Sequence, residues 1–267
     1  NNGKLESFEL PALTSVKKSV WVYDNPELTA FSIPELVTIG RTLQIYSNPF
    51  LGMINMGKLE SIAMDSADCE GLNIYGNKAI PYIQFPSLKE VGSYIYVYQN
   101  DILAEFSLPV LETVKEGFQI YENPLATTIE MNALKEVGKD FLVHSNDSIT
   151  YFEIPALETI VGMINIYNNK LLDSFDFPVV TVTGGLEVYG NEALYKFKMP
   201  LITGIKGNLL INKNIILEGF DLSTLADVGG NFTITDNVEL PTLTAQDLAD
   251  QVTIGGTTTI SGNKPTP

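Results

Sequence analysis

The side chains best suited to chemistry in this sequence are aromatic rings and amides that recur about every 23 residues. One column of the repeat is mostly tyrosine, at Tyr23, Tyr46, Tyr75, Tyr98, Tyr121, Tyr167 and Tyr189. Two residues earlier, most of these repeats carry an aromatic or amide side chain, at Trp21, Gln44, Asn73, Tyr96, Gln119 and Asn165. Tyr and Trp combine an apolar ring with a polar tip, and amides both donate and accept hydrogen bonds. This pattern predicts a binding surface for a glycan or a protein.

The tyrosine column also has a purely structural interpretation. Tyrosine is a favourable strand residue, and rings on neighbouring strands stabilise a sheet by stacking. Strands of one sheet lie about 4.8 Å apart, so repeated rings would form a stacked ribbon. The column fades after Tyr189, where Asn212, Thr235 and Ser261 follow, and this favours a localised surface. Both interpretations remain open from the sequence.

The sequence offers no set of residues that matches a catalytic site. The only histidine, His144, lies three repeats away from the only cysteine, Cys69, so a thiol–imidazole pair is not expected. Nucleotide-binding fingerprints, Cys/His clusters and calcium-loop strings are absent, so we expect no cofactor and no metal. We therefore expect a protein that is not an enzyme. A polysaccharide-active enzyme on a β-helix remains an alternative, and it would need carboxylates from adjacent coils in one cleft.

An asparagine sets the register of the repeat. Successive members are mostly 23 residues apart, with one gap of 29. The column begins at Asn2, ends at Asn263 and otherwise consists of Asn25, Asn48, Asn77, Asn100, Asn123, Asn146, Asn169, Asn191, Asn214 and Asn237. An amide in a stacked corner can bond backbone groups of its own coil and of the next coil. We therefore predict a buried structural ladder rather than a ligand site.

Apolar residues keep step with the asparagine. Leu43 and Ile45 alternate with outward residues, which indicates a short strand, and Phe31 and Ile33 mark a second strand. A proline usually follows the second pair, as at Pro34, and glycines recur further on. Proline donates no ladder hydrogen bond and glycine suits tight turns, so both columns predict corners.

One repeat is too short to bury its own apolar side chains, so burial requires stacking of repeats. The sequence predicts an all-β fold, a right-handed single-stranded parallel β-helix (an LRR-like solenoid) of about eleven coils of about 23 residues. We expect a single domain over residues 1–267, with an atypical C-terminal coil at about 238–267. Six extra residues between Ile62 and Leu72 predict a loop at one corner.

The string from Leu43 to Asn48 matches the LxLxxN core of leucine-rich repeats. The full repeat resembles the receptor L-domain superfamily. That group includes the ligand-binding L domains of insulin- and EGF-type receptors, fungal cell-wall proteins of the sporulation-specific type, and bacterial surface proteins. Receptor L domains are shorter and carry disulfides, and the fungal proteins carry cysteines and a Ser/Thr-rich tail, so a bacterial surface protein fits best. The resemblance implies a secreted or cell-surface binding protein.

The charge and cysteine content of the sequence exclude some classes of partner and of covalent cross-link. The chain has 32 acidic and 16 basic residues and a net charge of −16, so a nucleic-acid partner would be repelled. One cysteine permits no internal disulfide, and no apolar run reaches the length of about 18 residues that a transmembrane segment needs.

The sequence begins in register at Asn2, which leads us to expect an anchoring segment upstream, as in a bacterial surface lipoprotein. The leading prediction is an extracellular binding or adhesion module; the alternative is a structural spacer or cell-wall component without a specific ligand.

Overall fold

The computed structural model describes residues 2–62 and 71–265. The chain divides into two compact units, unit 1 at residues 1–134 and unit 2 at residues 135–267. Each unit is a parallel β-solenoid in which every coil contributes short strands to several sheets.

Unit 1 has sixteen strands among its described residues. They are β1 Ser7–Glu9, β2 Ser15–Val16, β3 Val20–Tyr23, β4 Ala30–Ser32, β5 Thr38–Ile39, β6 Leu43–Tyr46, β7 Met53–Asn55, β8 Ser61–Ile62, β9 Leu72–Tyr75, β10 Tyr82–Gln84, β11 Glu90–Val91, β12 Ile95–Tyr98, β13 Glu105–Ser107, β14 Thr113–Val114, β15 Phe118–Tyr121 and β16 Thr128–Glu130. The first face carries β1-β4-β7 and β10-β13-β16, the second face β2-β5-β8-β11-β14, and the ladder face β3-β6-β9-β12-β15.

Unit 2 has sixteen strands and one helix among its described residues. They are β17 Glu136–Val137, β18 Phe141–His144, β19 Tyr151–Glu153, β20 Thr159–Ile160, β21 Met163–Tyr167, β22 Ser174–Asp176, β23 Val182–Thr183, β24 Gly185–Tyr189, β25 Lys196–Lys198, β26 Gly204–Ile205, β27 Leu209–Asn212, β28 Gly219–Asp221, β29 Asp227–Val228, β30 Phe232–Thr235, α1 Thr242–Gln251, β31 Thr253–Ile254 and β32 Thr258–Ser261. Its first face carries β19-β22-β25-β28, its second face β17-β20-β23-β26-β29-β31, and its ladder face β18-β21-β24-β27-β30-β32.

Strands on each face pair in parallel and in register. On the ladder face of unit 1, Leu43 lies opposite Leu72 and Ile45 opposite Ile74, and all four side chains are fully buried. Five ladder-face strands lie in unit 1 and six in unit 2, so the prediction of an all-β solenoid with about eleven coils is confirmed. The second face was not predicted, because its two-residue strands are too short to show an alternating pattern.

The predicted corners are present. At Pro34 the backbone N–H of Leu36 donates to the carbonyl oxygen of Ile33 at 3.2 Å, which places the proline at the second position of a four-residue turn. At the glycine corner the N–H of Gly40 donates to the carbonyl oxygen of Val16 at 2.8 Å. Proline therefore separates the first and second faces, and glycine separates the second face from the ladder face.

A column of buried asparagines holds the third corner. In unit 1, Asn100 is fully buried, and its amide Nδ2 donates to the carbonyl oxygens of Ile74 and Tyr98, each at 3.1 Å. Its backbone N–H and its Nδ2 also donate to Oδ1 of Asn123, both at 3.1 Å. Its Oδ1 accepts the backbone N–H of Asn77 at 3.3 Å. One side chain thus closes its own turn and fixes the register of the coils on both sides.

The residue before the ladder asparagine has a left-handed backbone in many coils, even where it is not glycine. In unit 1, φ is 51° at Asp24, 54° at Ser47, and 53° at Gln99 and Glu122. Non-glycine residues rarely adopt this conformation, which costs about 1–3 kcal/mol when the surroundings impose it. The chain accepts this cost at the corner where the asparagine amide closes the coil.

The repeat pattern did not predict the helix α1. It lies within the coil at about 238–267 that the sequence marks as atypical, and Ala245 and Leu248 form its buried side. The side chain of Gln251 donates to the carbonyl oxygens of Ser223 at 3.0 Å and Leu225 at 2.7 Å. Only two buried apolar residues mark the helical spacing, which is too few to indicate a helix from the sequence.

We expect Asn100→Ala to lower the free energy of unfolding by about 1–3 kcal/mol, because it leaves the backbone N–H of Asn77 buried without its acceptor. Asn132→Ala is the matched control, since Asn132 is exposed and its amide forms an exposed hydrogen bond to the Glu130 carboxylate at 3.0 Å rather than to a buried group. The control should change stability by less than about 0.5 kcal/mol. Urea denaturation measures both, and equal effects would contradict the ladder's role.

Two glycines of unit 2 make a second matched pair. A Cβ at Gly229 would overlap the carbonyl oxygen of Lys206 in the preceding coil, whereas a Cβ at Gly219 would meet nothing within 4 Å. We expect Gly229→Ala to destabilise by about 1–3 kcal/mol through overpacking. Gly219→Ala should be neutral or slightly stabilising, because alanine reduces the entropy of the unfolded chain. Thermal unfolding compares the two, and the reverse order would contradict tight coil spacing at the glycine corner.

Candidate functional site

The five tyrosines of unit 1 form a stacked column on the ladder face. Ring centroids are 5.0 Å apart for Tyr23 and Tyr46, 4.8 Å for Tyr46 and Tyr75, 4.6 Å for Tyr75 and Tyr98, and 4.7 Å for Tyr98 and Tyr121. The rings are parallel within 7°. In-register pairing of β3, β6, β9, β12 and β15 produces this geometry, because it sets equivalent residues side by side.

Stacking decides which part of each ring a ligand can reach. Every ring between Tyr23 and Tyr121 has a neighbour on both faces, and all five side chains are half-buried. The exposed parts are therefore the ring edges and the hydroxyl groups. The column offers a ligand a row of hydrogen-bonding hydroxyls with the spacing of a sheet, rather than open ring faces.

The second outward column of the ladder face is less uniform. Trp21 is 61% exposed, and no ring is stacked on it among the described residues. Gln44, Tyr96 and Gln119 are half-buried, whereas Asn73 is only 7% exposed and offers little surface to a ligand. The structure therefore brings all ten predicted residues of unit 1 onto one face, with the most open ring at the first coil.

The ladder face of unit 1 is electrically neutral. None of its ten outward side chains carries a charge, although the chain as a whole has a net charge of −16. Asp24 and Glu122 stand at the corner directly after the column, and other charged residues of unit 1 pair between adjacent coils, as do Lys58 with Glu35 at 2.6 Å and Lys89 with Glu60 at 2.9 Å. A neutral face on an acidic protein suits an uncharged or weakly charged ligand.

An apolar ridge follows the tyrosine column in unit 1, and the sequence interpretation missed it. Phe50, Ile102 and Leu125 are 60%, 41% and 50% exposed. Each stands two residues after a ladder asparagine and four residues after a stacked tyrosine. The recurrence of apolar side chains at that position is the signal that would have revealed the ridge.

Unit 2 carries a shorter version of the ladder face. Tyr167 stacks between His144 and Tyr189, with ring centroids 4.3 and 4.7 Å away. Asn165 is only 8% exposed, and its amide donates to the Glu187 carboxylate at 3.2 Å. The predicted residues of this unit thus lie together, but a carboxylate and a histidine accompany them.

Burial affects two tyrosines at the edges of these columns. Burial raises the pKa of Tyr121 above its ordinary value, and the Glu122 carboxylate raises it further. Burial also raises the pKa of Tyr189, with a further contribution from the Glu187 carboxylate. Both hydroxyls therefore keep their protons at neutral pH and can donate as well as accept hydrogen bonds.

Metal ligation and membrane spanning find no support in the part of the chain that the structure describes. Residues 2–62 and 71–265 contain no cluster of three or more His, Cys, Asp or Glu side chains placed to hold a metal ion. The same residues contain no helix long and apolar enough to cross a bilayer. Cys69 and the predicted loop lie outside the described residues, apart from Gly71 at its end.

We predict that the phenol of Tyr121 titrates above pH 10 in the folded protein. A raised folded pKa means that its contribution to stability is complete below about pH 10 and is lost as the pH rises towards the folded pKa. The phenolate absorbance of the protein minus that of Tyr121→Phe measures the titration. Glu122→Gln should lower the midpoint without restoring that of free tyrosine, because burial is the larger cause. A difference curve centred at or below pH 10 would contradict this prediction.

Comparison with known proteins identifies no relative of this chain. No protein-family model matches the chain. Curated proteins and solved structures likewise give no significant match.

Proposed function

We propose that the chain is a non-enzymatic binding or adhesion module that recognises a glycan or a protein through the ladder face of unit 1. The observation that carries the proposal is the uncharged column of five stacked tyrosines on an acidic protein. A face without charges loses little electrostatic hydration when a neutral ligand covers it. Tyrosine is also among the residues most enriched at binding hot spots.

The stacked column is preorganised for binding. Each ring is held by its neighbours at 4.6–5.0 Å, so little side-chain freedom is left to lose when a ligand arrives. The hydroxyls repeat at the same interval and can bond a ligand with regularly spaced donors and acceptors. An extended polysaccharide and an extended polypeptide both meet this description.

The apolar ridge extends the surface towards protein ligands. Phe50, Ile102 and Leu125 present exposed apolar side chains next in sequence to the tyrosine column. Exposed apolar side chains near aromatic anchors are typical of protein interaction sites. An uncharged glycan would use the hydroxyl row alone, whereas a protein ligand would cover the ridge as well.

The resemblance to receptor L domains agrees with this proposal. The string from Leu43 to Asn48 lies on the ladder face and resembles the LxLxxN core of that group. We propose accordingly that the protein acts outside the cell or at its surface, as a bacterial surface lipoprotein would.

A structural spacer or cell-wall component is the second candidate, and the stacking itself favours it. Parallel rings at sheet spacing stabilise neighbouring strands whether or not a ligand binds. A spacer needs the rings for their mutual contact, whereas a receptor needs the hydroxyls that the rings present. The two candidates therefore differ in what the phenolic oxygen does.

We predict that the triple variant Tyr46→Phe, Tyr75→Phe, Tyr98→Phe keeps the fold and loses the ligand. The phenylalanine rings preserve the stack, so the melting temperature should change little. Each lost hydrogen bond weakens binding by about 0.5–1.5 kcal/mol, so three together reduce affinity at least about tenfold. Binding is first mapped on an array of polysaccharides and extracellular proteins, and the affinity for the retained probe is then compared by surface plasmon resonance.

The matched control is Tyr82→Phe, Tyr151→Phe, Tyr195→Phe, which removes three exposed hydroxyls on or directly before first-face strands. The control should bind like the native protein. Equal affinity of the ladder variant and the native protein would remove the proposal. An array on which the native protein retains nothing would favour the spacer.

A further inference from the structure

Three cationic side chains gather at the glycine corner of the first two coils of unit 1. Lys17 and Lys18 follow β2, and Arg41 follows β5 after Gly40. The backbone N–H of Arg41 donates to the carbonyl oxygen of Lys18 at 3.1 Å. Lys18 and Arg41 therefore occupy the same corner position on successive coils, and Lys17 stands beside them.

These three cations are not neutralised by the part of the chain that the structure describes. All three are exposed, and none forms an ion pair with a described residue. Other lysines of unit 1 do pair between coils, as Lys115 does with Glu90 at 2.9 Å. Among the described residues these three positive charges have no carboxylate partner, although the net charge of the chain is −16.

The surroundings of the cationic corner are rich in groups that suit a sugar. On the ladder-face side lies Trp21, 61% exposed and three residues after Lys18. On the second-face side lies an open groove with a volume of about 540 Å³, whose lining includes Lys17 and the strand residues Ser15, Thr38 and Ser61. These three face one another in register on β2, β5 and β8, so their hydroxyl groups form a row.

We propose that this corner binds an acidic glycan. Carboxylate or sulfate groups pair with Lys17, Lys18 and Arg41, of which the arginine can bind such a group through two parallel hydrogen bonds. The open ring of Trp21 packs against a sugar, and the hydroxyl row of the groove bonds sugar hydroxyls. This inference goes beyond the ladder-face proposal, because it uses none of the five stacked tyrosines.

Electrostatics limit the binding to short range. The net charge of −16 repels a polyanion from a distance, whereas the cationic corner attracts it locally. At physiological ionic strength, charges further apart than about 8 Å are largely screened, so the local attraction prevails. Binding should weaken as salt is raised, because the cations of the corner are exposed to solvent.

The test compares the native protein with Lys17→Gln, Lys18→Gln, Arg41→Gln on dextran sulfate and on polygalacturonate, with unsubstituted dextran as the neutral probe. The native protein should bind one or both acidic glycans and not dextran, and the triple variant should lose about tenfold or more in affinity. Trp21→Ala should weaken binding to the same glycan. The two acidic probes separate sulfate from carboxylate as the recognised group.

The matched control Lys170→Gln, Lys206→Gln, Lys213→Gln removes three exposed cations from two coils of unit 2. It should bind like the native protein, and so should the Tyr46→Phe, Tyr75→Phe, Tyr98→Phe variant, which separates this inference from the ladder-face proposal. Failure of the native protein to bind either acidic glycan would overturn the inference. So would equal losses in both lysine variants, equal binding to polyglutamate with no effect of Trp21→Ala, or stronger binding to phosphatidylserine vesicles.

Discussion

A buried amide at one corner of every coil is the interaction on which the rest of the structure depends. Its Nδ2 satisfies carbonyl oxygens of its own coil and of the preceding one, as Asn100 does for Tyr98 and Ile74. Its Oδ1 accepts the backbone N–H of the preceding asparagine, as it does for Asn77. Buried backbone groups left without such partners would destabilise the fold, so the amide holds successive coils in one register.

A common register turns a repeated sequence into repeated surfaces. Once coils are aligned, each residue type lies over its equivalents, and Tyr46 stacks on Tyr75 at 4.8 Å without further adjustment. The same contact stabilises the sheet and prepares the hydroxyl row for a ligand. Stability and recognition are therefore not alternatives in this fold, and a binding surface can arise from a column that is already favourable for folding.

Charged side chains also interact between adjacent coils. Lysines and glutamates on adjacent coils, such as Lys89 and Glu60, neutralise one another along the edges. The ten outward side chains of the ladder face of unit 1 carry no charge, and the glycine corner near Trp21 carries three cations without a carboxylate partner among the described residues. An acidic chain thus presents one neutral surface and one basic corner, and each suits a different kind of ligand.

The sequence by itself determined the solenoid, the inward columns and the proline and glycine corners, because these follow from local periodicity and from backbone chemistry within one repeat. Only the tertiary structure decided which side chains a ligand can reach. Asn73 and Trp21 stand in the same outward column, yet Asn73 is 7% exposed and Trp21 is 61% exposed. The left-handed backbone at Gln99 and the helix α1 were likewise decided by packing between coils. Exposure and strain depend on what the adjacent coil covers, and that neighbour is a full repeat away in the chain.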